Sequence, residues 1–334
     1  MSRITSGMLT NSYLSDLQTN LNSMSKYQDQ LSSGQKIKRA SDDPTVATQT
    51  MKLNSELEES KQFSSNITGA TSWLDTTDTA LSQAGDVMQR LRELLVKAGN
   101  ATYAPSEIQS IKDEAVTTVQ ELGQILNSSY DGSYVFSGTK STSPAVVVDN
   151  TGAMSYADNN GNSIADVTAA PGLTYYNQLK TDLKVEISTG VKVKYNETAP
   201  SLLEFNDATG TPVNTINVLK NIISNLTTAA DPTQAGTPTH NALISLNTTG
   251  LPQLDAVIDN LLSSRARVGA TEDRMQSAAT VNSNQTDNMT SILSSVEDVD
   301  YSKAAINFSS AQAVYQAALQ VNAKVIQKTL LDYL

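Results

Sequence analysis

Leu31 to Gln49 reads LSSGQKIKRASDDPTVATQ, and its punctuation decides how the chain is organised. Upstream, Leu14, Leu17, Leu21, Met24 and Leu31 step by three and four, the a/d stripe of a helix. Ser33-Gly34 stops that helix, because glycine at the C′ position reaches the left-handed conformation without a Cβ clash. Lys36, Lys38 and Arg39 follow the helix's negative end, which suits cations. Asp42 and Asp43 then offer capping oxygens, and Pro44 fits the first position of a second helix. Capping chemistry alone therefore reads the stretch as a helix stop and a helix start, and Gly34, Lys36, Lys38, Arg39, Asp42, Asp43 and Pro44 are the residues expected at this inter-domain joint.

Working outward, seven-residue steps from Pro44 give Leu53, Ser60, Ile67, Leu74, Leu81, Met88 and Leu95. A neighbouring row gives Phe63, Ala70, Thr77, Ala84, Leu91 and Ala98. One helix of about thirteen turns is expected, ended by GNATYAP, with a third returning antiparallel from Pro105 to Leu126. Past residue 138 the pattern changes. AVVVD, LKVEIS and VKVKY alternate with Gly and Asn turns, which predicts a small β domain. TPVNTINVLKNIISNL reads as a helix closing it, and TTAADPTQAGTPT as a linker. Leu254, Leu261, Val268, Met275, Asn282, Met289 and Val296 then predict a second long helix. After VEDVDYSK, a last helix carries Phe308, Tyr315, Leu319, Ile326 and Leu330.

The order is palindromic in kind: short helix, long helix, β insert, long helix, short helix. The fold class expected is mainly α with an inserted β domain, a long antiparallel helical bundle plus a terminal-helix coiled coil. Residues 1–43 with 300–334 form the terminal coiled-coil domain, 44–138 with 241–299 the bundle, and 139–240 the β-rich insert with its closing helix and linker. The two terminal stripes are too narrow to offset the entropy of ordering their own backbones. They are expected to need neighbouring subunits, which makes Leu14, Leu17, Leu21, Met24, Leu31, Phe308, Tyr315, Leu319, Ile326 and Leu330 the assembly interface.

Composition excludes much else. There is no cysteine and a single histidine, His240, placed in the connector AGTPTHNAL and expected in a solvated loop. Thiolate chemistry, disulfides and the His/Cys ligand sets of zinc sites are therefore absent. YADNNGNS has calcium-loop spacing, but Tyr156 in the first ligand position and Val167 in the twelfth exclude an EF-hand. No phosphate-binding glycine motif occurs. No catalytic, cofactor-binding or metal-ligating residue is assigned, and no enzymatic activity is expected. A net charge of −11 argues against nucleic acid. The two ends are nonetheless basic, with Arg3, Lys26, Lys36, Lys38 and Arg39 in one and Lys303, Lys324 and Lys328 in the other. No apolar run approaches a membrane span, and MSRITSGMLTNSYLSD has no hydrophobic h-region, so no cleaved signal is expected.

LSSGQKIKRASDDPTVA and QRLRELLVKAGN resemble, in register, segments of the bacterial flagellin superfamily. SRITSGML, DGSYVFSG and VEDVDYSKA…LLDYL resemble its hook–filament junction branch more than its filament proteins. The resemblance implies a flagellin-like fold and an extracellular, non-enzymatic adaptor of the flagellum that leaves through the type III export channel. It implies as partners other copies of the chain in a ring, a first hook-associated protein, flagellin, and a cytoplasmic export chaperone on the C-terminal helix. Lys36, Lys38 and Arg39 then read as an inter-subunit or spoke contact. A filament flagellin, or a secreted adhesin using the β insert, are the alternatives.

Overall fold

Asp43 caps the second helix through its carboxylate, which accepts from the backbone N–H groups of Thr45 (3.0 Å) and Val46 (3.1 Å). Pro44 at the first position lacks the N–H that would otherwise be orphaned. In the computed structural model, which describes residues 6–99, 104–231 and 237–325, this helix runs unbroken to Ala98. In chain order, α1 (Ser6–Ser33), α2 (Pro44–Ala98) and α3 (Pro105–Leu126) precede the insert. The insert holds β1 (Ser129–Tyr130), β2 (Ser133–Tyr134), β3 (Val146–Val148), β4 (Met154–Tyr156), α4 (Gly172–Lys180), β5 (Lys184–Ser188) and β6 (Val191–Lys194). It continues with α5 (Ala199–Leu203), β7 (Glu204–Asn206), β8 (Pro212–Asn214) and α6 (Thr215–Ala230). Then come α7 (Thr237–Ser245), a π-helical turn (Leu246–Gly250), α8 (Leu251–Glu297) and α9 (Tyr301–Val325).

The chain divides into two compact units, residues 1–61 with 283–334 and residues 62–282. In the first, Ala47, Leu53, Leu57 and Met289 are buried and Ser60 Oγ meets Thr286 Oγ1 at 2.7 Å. The start of α2 thus lies against the end of α8.

In the second unit, the heptad rows are the core. Ile67, Leu74, Leu81, Met88 and Leu95 are at most 2% exposed, and the row Ala70, Thr77, Ala84, Leu91 and Ala98 at most 4%. Leu254, Leu261, Val268 and Met275 of α8, and Ile108, Ala115, Val119, Leu122 and Leu126 of α3, are buried with them. Thr77 is tolerated in this row because its hydroxyl donates to the Trp73 carbonyl one turn back (2.8 Å). The Arg92–Asp255 pair (2.6 Å) and the bidentate Arg265–Asp78 pair (2.8 and 3.0 Å) fix α2 and α8 antiparallel.

The insert contains more helix than the sequence suggests. Its strands form four separate two-stranded antiparallel ribbons, β1–β2, β3–β4, β5–β6 and β7–β8. β4, α4, α5, β7 and β8 have no counterpart in the expected pattern, and Pro212–Asn214 of the expected closing helix is a strand. The linker expected at 227–239 is shorter, since α6 runs to Ala230 and α7 starts at Thr237. His240 therefore sits exposed on a helix, not in a loop. Trp73 of α2 anchors the insert edge-on against Tyr130 (6.2 Å between ring centres) and Tyr195 (5.8 Å).

Three ribbon turns, Asp149–Ala153, Asp158–Asn162 and Asp207–Thr211, share one construction. The first residue's N–H donates to the fifth's carbonyl, and its Oδ1 accepts the N–H groups of the third and fifth residues. These bonds hold all three carboxyls below the usual aspartate value. The largest cause is the threonine hydroxyl at Asp149 and Asp207, and the Asn162 N–H at Asp158.

Lys140 is the buried cation of the insert, 5% exposed. Its ammonium donates to the carbonyls of Pro144 (2.8 Å), Ala157 (2.7 Å) and Asp158 (2.9 Å). Burial pushes it down from 10.5 to about 8, against the pull of the Asp158 charge. Between those values the unfolded chain holds the extra proton, so the second unit should gain stability as pH rises from about 8 toward 10. Denaturant midpoints at the two pH values should differ in the native chain, and the difference should shrink in Lys140→Met.

Candidate assembly interface

α1 and α9 pack antiparallel in the first unit, with the Asn20 carboxamide donating to the Ala311 carbonyl (3.3 Å). Leu17, Leu21, Met24 and Leu31 are half-buried on α1, as are Phe308 and Tyr315 on α9. Tyr13 and Tyr27 extend the α1 stripe, and Ala304, Ala311 and Ala318 complete the α9 stripe at heptad spacing. Leu14 (54% exposed) and Leu319 (45%) stand at the edges of the two stripes. Ile326 and Leu330 lie outside the described residues.

α9 carries a second apolar row that the sequence reading passed over. Ile306 is 68% exposed, Val314 57% and Val321 56%. They follow one another by eight and seven residues, steps that turn the helix by about 80° and 20°, so they spread over a broad face centred roughly 110° round the helix from the one that meets α1. The spacing was visible in the sequence. It was missed because one amphipathic stripe already accounted for the helix.

The joint is a small sheet-like clasp. Gly34 takes φ +76°, and its N–H closes α1 on the Gln30 carbonyl (2.9 Å). A Cβ there would come within 2.8 Å of the Tyr301 hydroxyl. Gln35 bridges Asp298 antiparallel, with Lys36 N–H donating to the Glu297 carbonyl (2.7 Å) and Val299 N–H to Gly34 (2.8 Å). The Lys36 ammonium donates to the carbonyls of Ser295 and Val296 (3.2 Å to the latter), satisfying the C-terminal end of α8. Lys38 pairs with Asp29 (3.0 Å). The Asp42 carboxylate accepts from Arg39 N–H (3.0 Å) and Lys38 N–H (3.2 Å), which hold it below the usual carboxylate value, the Arg39 bond most. Asp300 caps α9 through Lys303 N–H (3.0 Å). Within this chain Lys36 and Lys38 are thus engaged intramolecularly; Lys36 is half-buried, and Lys38 and Arg39 are both exposed. The partner of the Gly34–Lys36 segment, Glu297–Val299, gave no sequence signal, because pairing between segments so far apart leaves none locally.

Among the described residues no helix is long and apolar enough to cross a membrane. The model of the bacterial flagellin N-terminal helical region matches residues 4–141, and that of the C-terminal helical region matches residues 251–334. This chain belongs to the bacterial flagellin family. Helices α1, α2 and α3 fall inside the first matched segment and α8 and α9 inside the second, and most of the insert falls between them. The chain is 23% identical to a flagellin of Clostridium tyrobutyricum, over 98% of this chain and 99% of that one. It is also 23% identical to flagellar hook-associated protein 3 of Escherichia coli, over 88% of this chain and 87% of the other. In fold it matches a flagellar hook-associated protein from Vibrio parahaemolyticus with a TM-score of 0.59 at 19% identity, covering 77% of this chain and all of that one. This flagellin-family chain is a structural component of the flagellum.

Proposed function

We propose that this chain is the adaptor ring between hook and filament, joining the first hook-associated protein to flagellin, and that it performs no catalysis. The observation that carries the reading is the two-sided α9. One face is used on α1, and Ile306, Val314 and Val321 are left exposed on another, an apolar face that neighbouring copies would cover in an assembly. The likeness to hook-associated protein 3, and the stretches DGSYVFSG and VEDVDYSKA, favour the junction over the filament. In this reading the terminal helices form the inner tube, the long helices the shell around it, and the insert faces outward. The three-part division at residues 44 and 300, and around 139–240, follows those layers. Leu14, Leu17, Leu21, Met24, Leu31, Phe308, Tyr315, Leu319, Ile326 and Leu330 form the contacts within and between copies, with Arg39 and the joint beside them. Export runs through the flagellar type III channel, with a chaperone shielding the C-terminal helix.

The full-length similarity to a flagellin supports a second reading, the filament subunit itself. Purified chain separates the two. A junction protein should give no long filaments when concentrated alone, yet should add to isolated hooks that carry the first junction protein. Long self-assembled filaments would favour the second reading.

A further inference from the structure

The three aspartate-anchored turns of the insert share a backbone, and the middle one differs from the other two at the side chain before the glycine. In the first and last, the residue before the glycine is threonine. Thr151 Oγ1 donates to Asp149 Oδ1 (2.7 Å), and Thr209 Oγ1 donates to Asp207 Oδ1 (2.6 Å). In the middle turn that position is Asn160. Its backbone N–H donates to Asp158 Oδ1 (2.8 Å), but its exposed carboxamide makes no hydrogen bond among the described residues. The next residue is Gly161, which has no Cβ to shield Asn160 Cγ from its own backbone nitrogen. This is the single Asn-Gly pair in the sequence.

We propose that Asn160 is a site of spontaneous deamidation through a cyclic imide. The Gly161 N–H, which donates to the Asp158 carbonyl at 3.2 Å in the closed turn, leaves that acceptor as the turn opens; its nitrogen then gives the proton to water and attacks Asn160 Cγ. A C–N bond forms to the main chain, the bond to the carboxamide nitrogen breaks, and that nitrogen leaves as ammonia. Water then opens the five-membered imide at either carbonyl. One opening gives aspartate, and the other gives isoaspartate, whose main chain runs through the side-chain carbonyl. Water is the sole co-reactant, and no group is oxidised or reduced.

The site is placed where the change is felt. The same turn presents the carbonyls of Ala157 and Asp158 to the buried Lys140 ammonium at 2.7 and 2.9 Å. Isoaspartate adds a main-chain carbon to a turn closed by the Asp158–Asn162 bond (2.8 Å), so its register fails and the lysine loses acceptors. The two threonine turns are built the same way without the reactive side chain, and they serve as internal controls.

The test is ageing of the intact protein in neutral buffer, followed by tryptic digestion and mass spectrometry. The peptide of residues 141–180 should gain about 1 Da, as a carboxamide becomes a carboxyl. Electron-transfer fragmentation should place the gain on Asn160, in part as isoaspartate, ahead of Asn159 and Asn162 in the same peptide. Asn160→Thr, which copies the other two turns, should leave the peptide unchanged over the same interval. The proposal is overturned if Asn159 or Asn162 converts first, or if the variant's peptide gains mass at the native rate. It is equally overturned if Asn160 stays intact while a short peptide of the same sequence has converted.

Discussion

Ile306→Asp combined with Val314→Asp should abolish incorporation into flagella while leaving the isolated chain folded. Both side chains are more than half exposed, so their removal takes almost no burial from the subunit. Aspartate, valine and isoleucine differ only modestly in helix propensity, so the cost to the monomer should stay within about 0.5 kcal/mol per site. In an assembly that covers the row, each change buries a carboxylate without a partner, which costs several kcal/mol per subunit contact. Circular dichroism and thermal unfolding should match the native chain, and flagella isolated from cells expressing the variant should lack it. Leu17→Asp is the contrasting variant. Leu17 is half-buried on the α1 stripe, so its replacement should loosen the α1–α9 pair in the monomer as well. Normal incorporation of the Ile306/Val314 variant would show that the second α9 row faces solvent in the flagellum, and the two-faced helix would lose its meaning.

The second large effect is expected at Gly138. Its φ is +57°, and a Cβ there would lie 2.5 Å from the carbonyl oxygens of both Gln178 and Leu179 at the end of α4. These are backbone atoms, so no rotamer change relieves the contact. The approach is held by Thr139, whose N–H and hydroxyl both donate to the Gln178 carbonyl at 3.1 Å. Beside it, Val135 and Phe136 are fully buried, so the segment cannot swing outward without exposing them. Gly138→Ala should therefore destabilise the second unit by roughly 2–4 kcal/mol, combining the left-handed penalty with a forced displacement of α4. Trp73 is the only tryptophan and packs against Tyr130 and Tyr195, so its fluorescence reports this unit directly. The denaturant midpoint of that signal should fall in the variant. An unchanged midpoint would mean that the loop and α4 separate at little cost.

The helical framework was legible because its signals are local and repeated. Heptad rows in α2 and α8 can be counted in the sequence; every member of the row from Leu53 to Leu95 is buried, while Phe63 at the start of the neighbouring row is half-buried. Gly34, Asp43 and Pro44 act at the joint through capping chemistry that needs only neighbouring residues. The insert was read less well. Its ribbons are two to five residues long, too short for alternation to register. Its burial comes from α4, α5 and α6 packing on them, which no local pattern records. At the interface, Leu17, Leu21, Met24 and Leu31 are half-buried on α1, the helix that packs against α9. Leu14 and Leu319 were grouped with the stripes by spacing alone, whereas the structure puts both at exposed edges. Lys36 looked like a surface cation beside a helix end. Its actual acceptors, Ser295 and Val296, belong to a helix end more than two hundred residues away, and only the folded chain brings them together.

Deleting the gene for this chain in its own bacterium, then imaging the cell surface and assaying the medium for flagellin, tests the central claim most directly. A junction adaptor predicts hooks without filaments and flagellin lost to the medium, both restored by the native chain and not by Ile306→Asp with Val314→Asp. Hooks bearing normal filaments in the deletion strain would contradict the account.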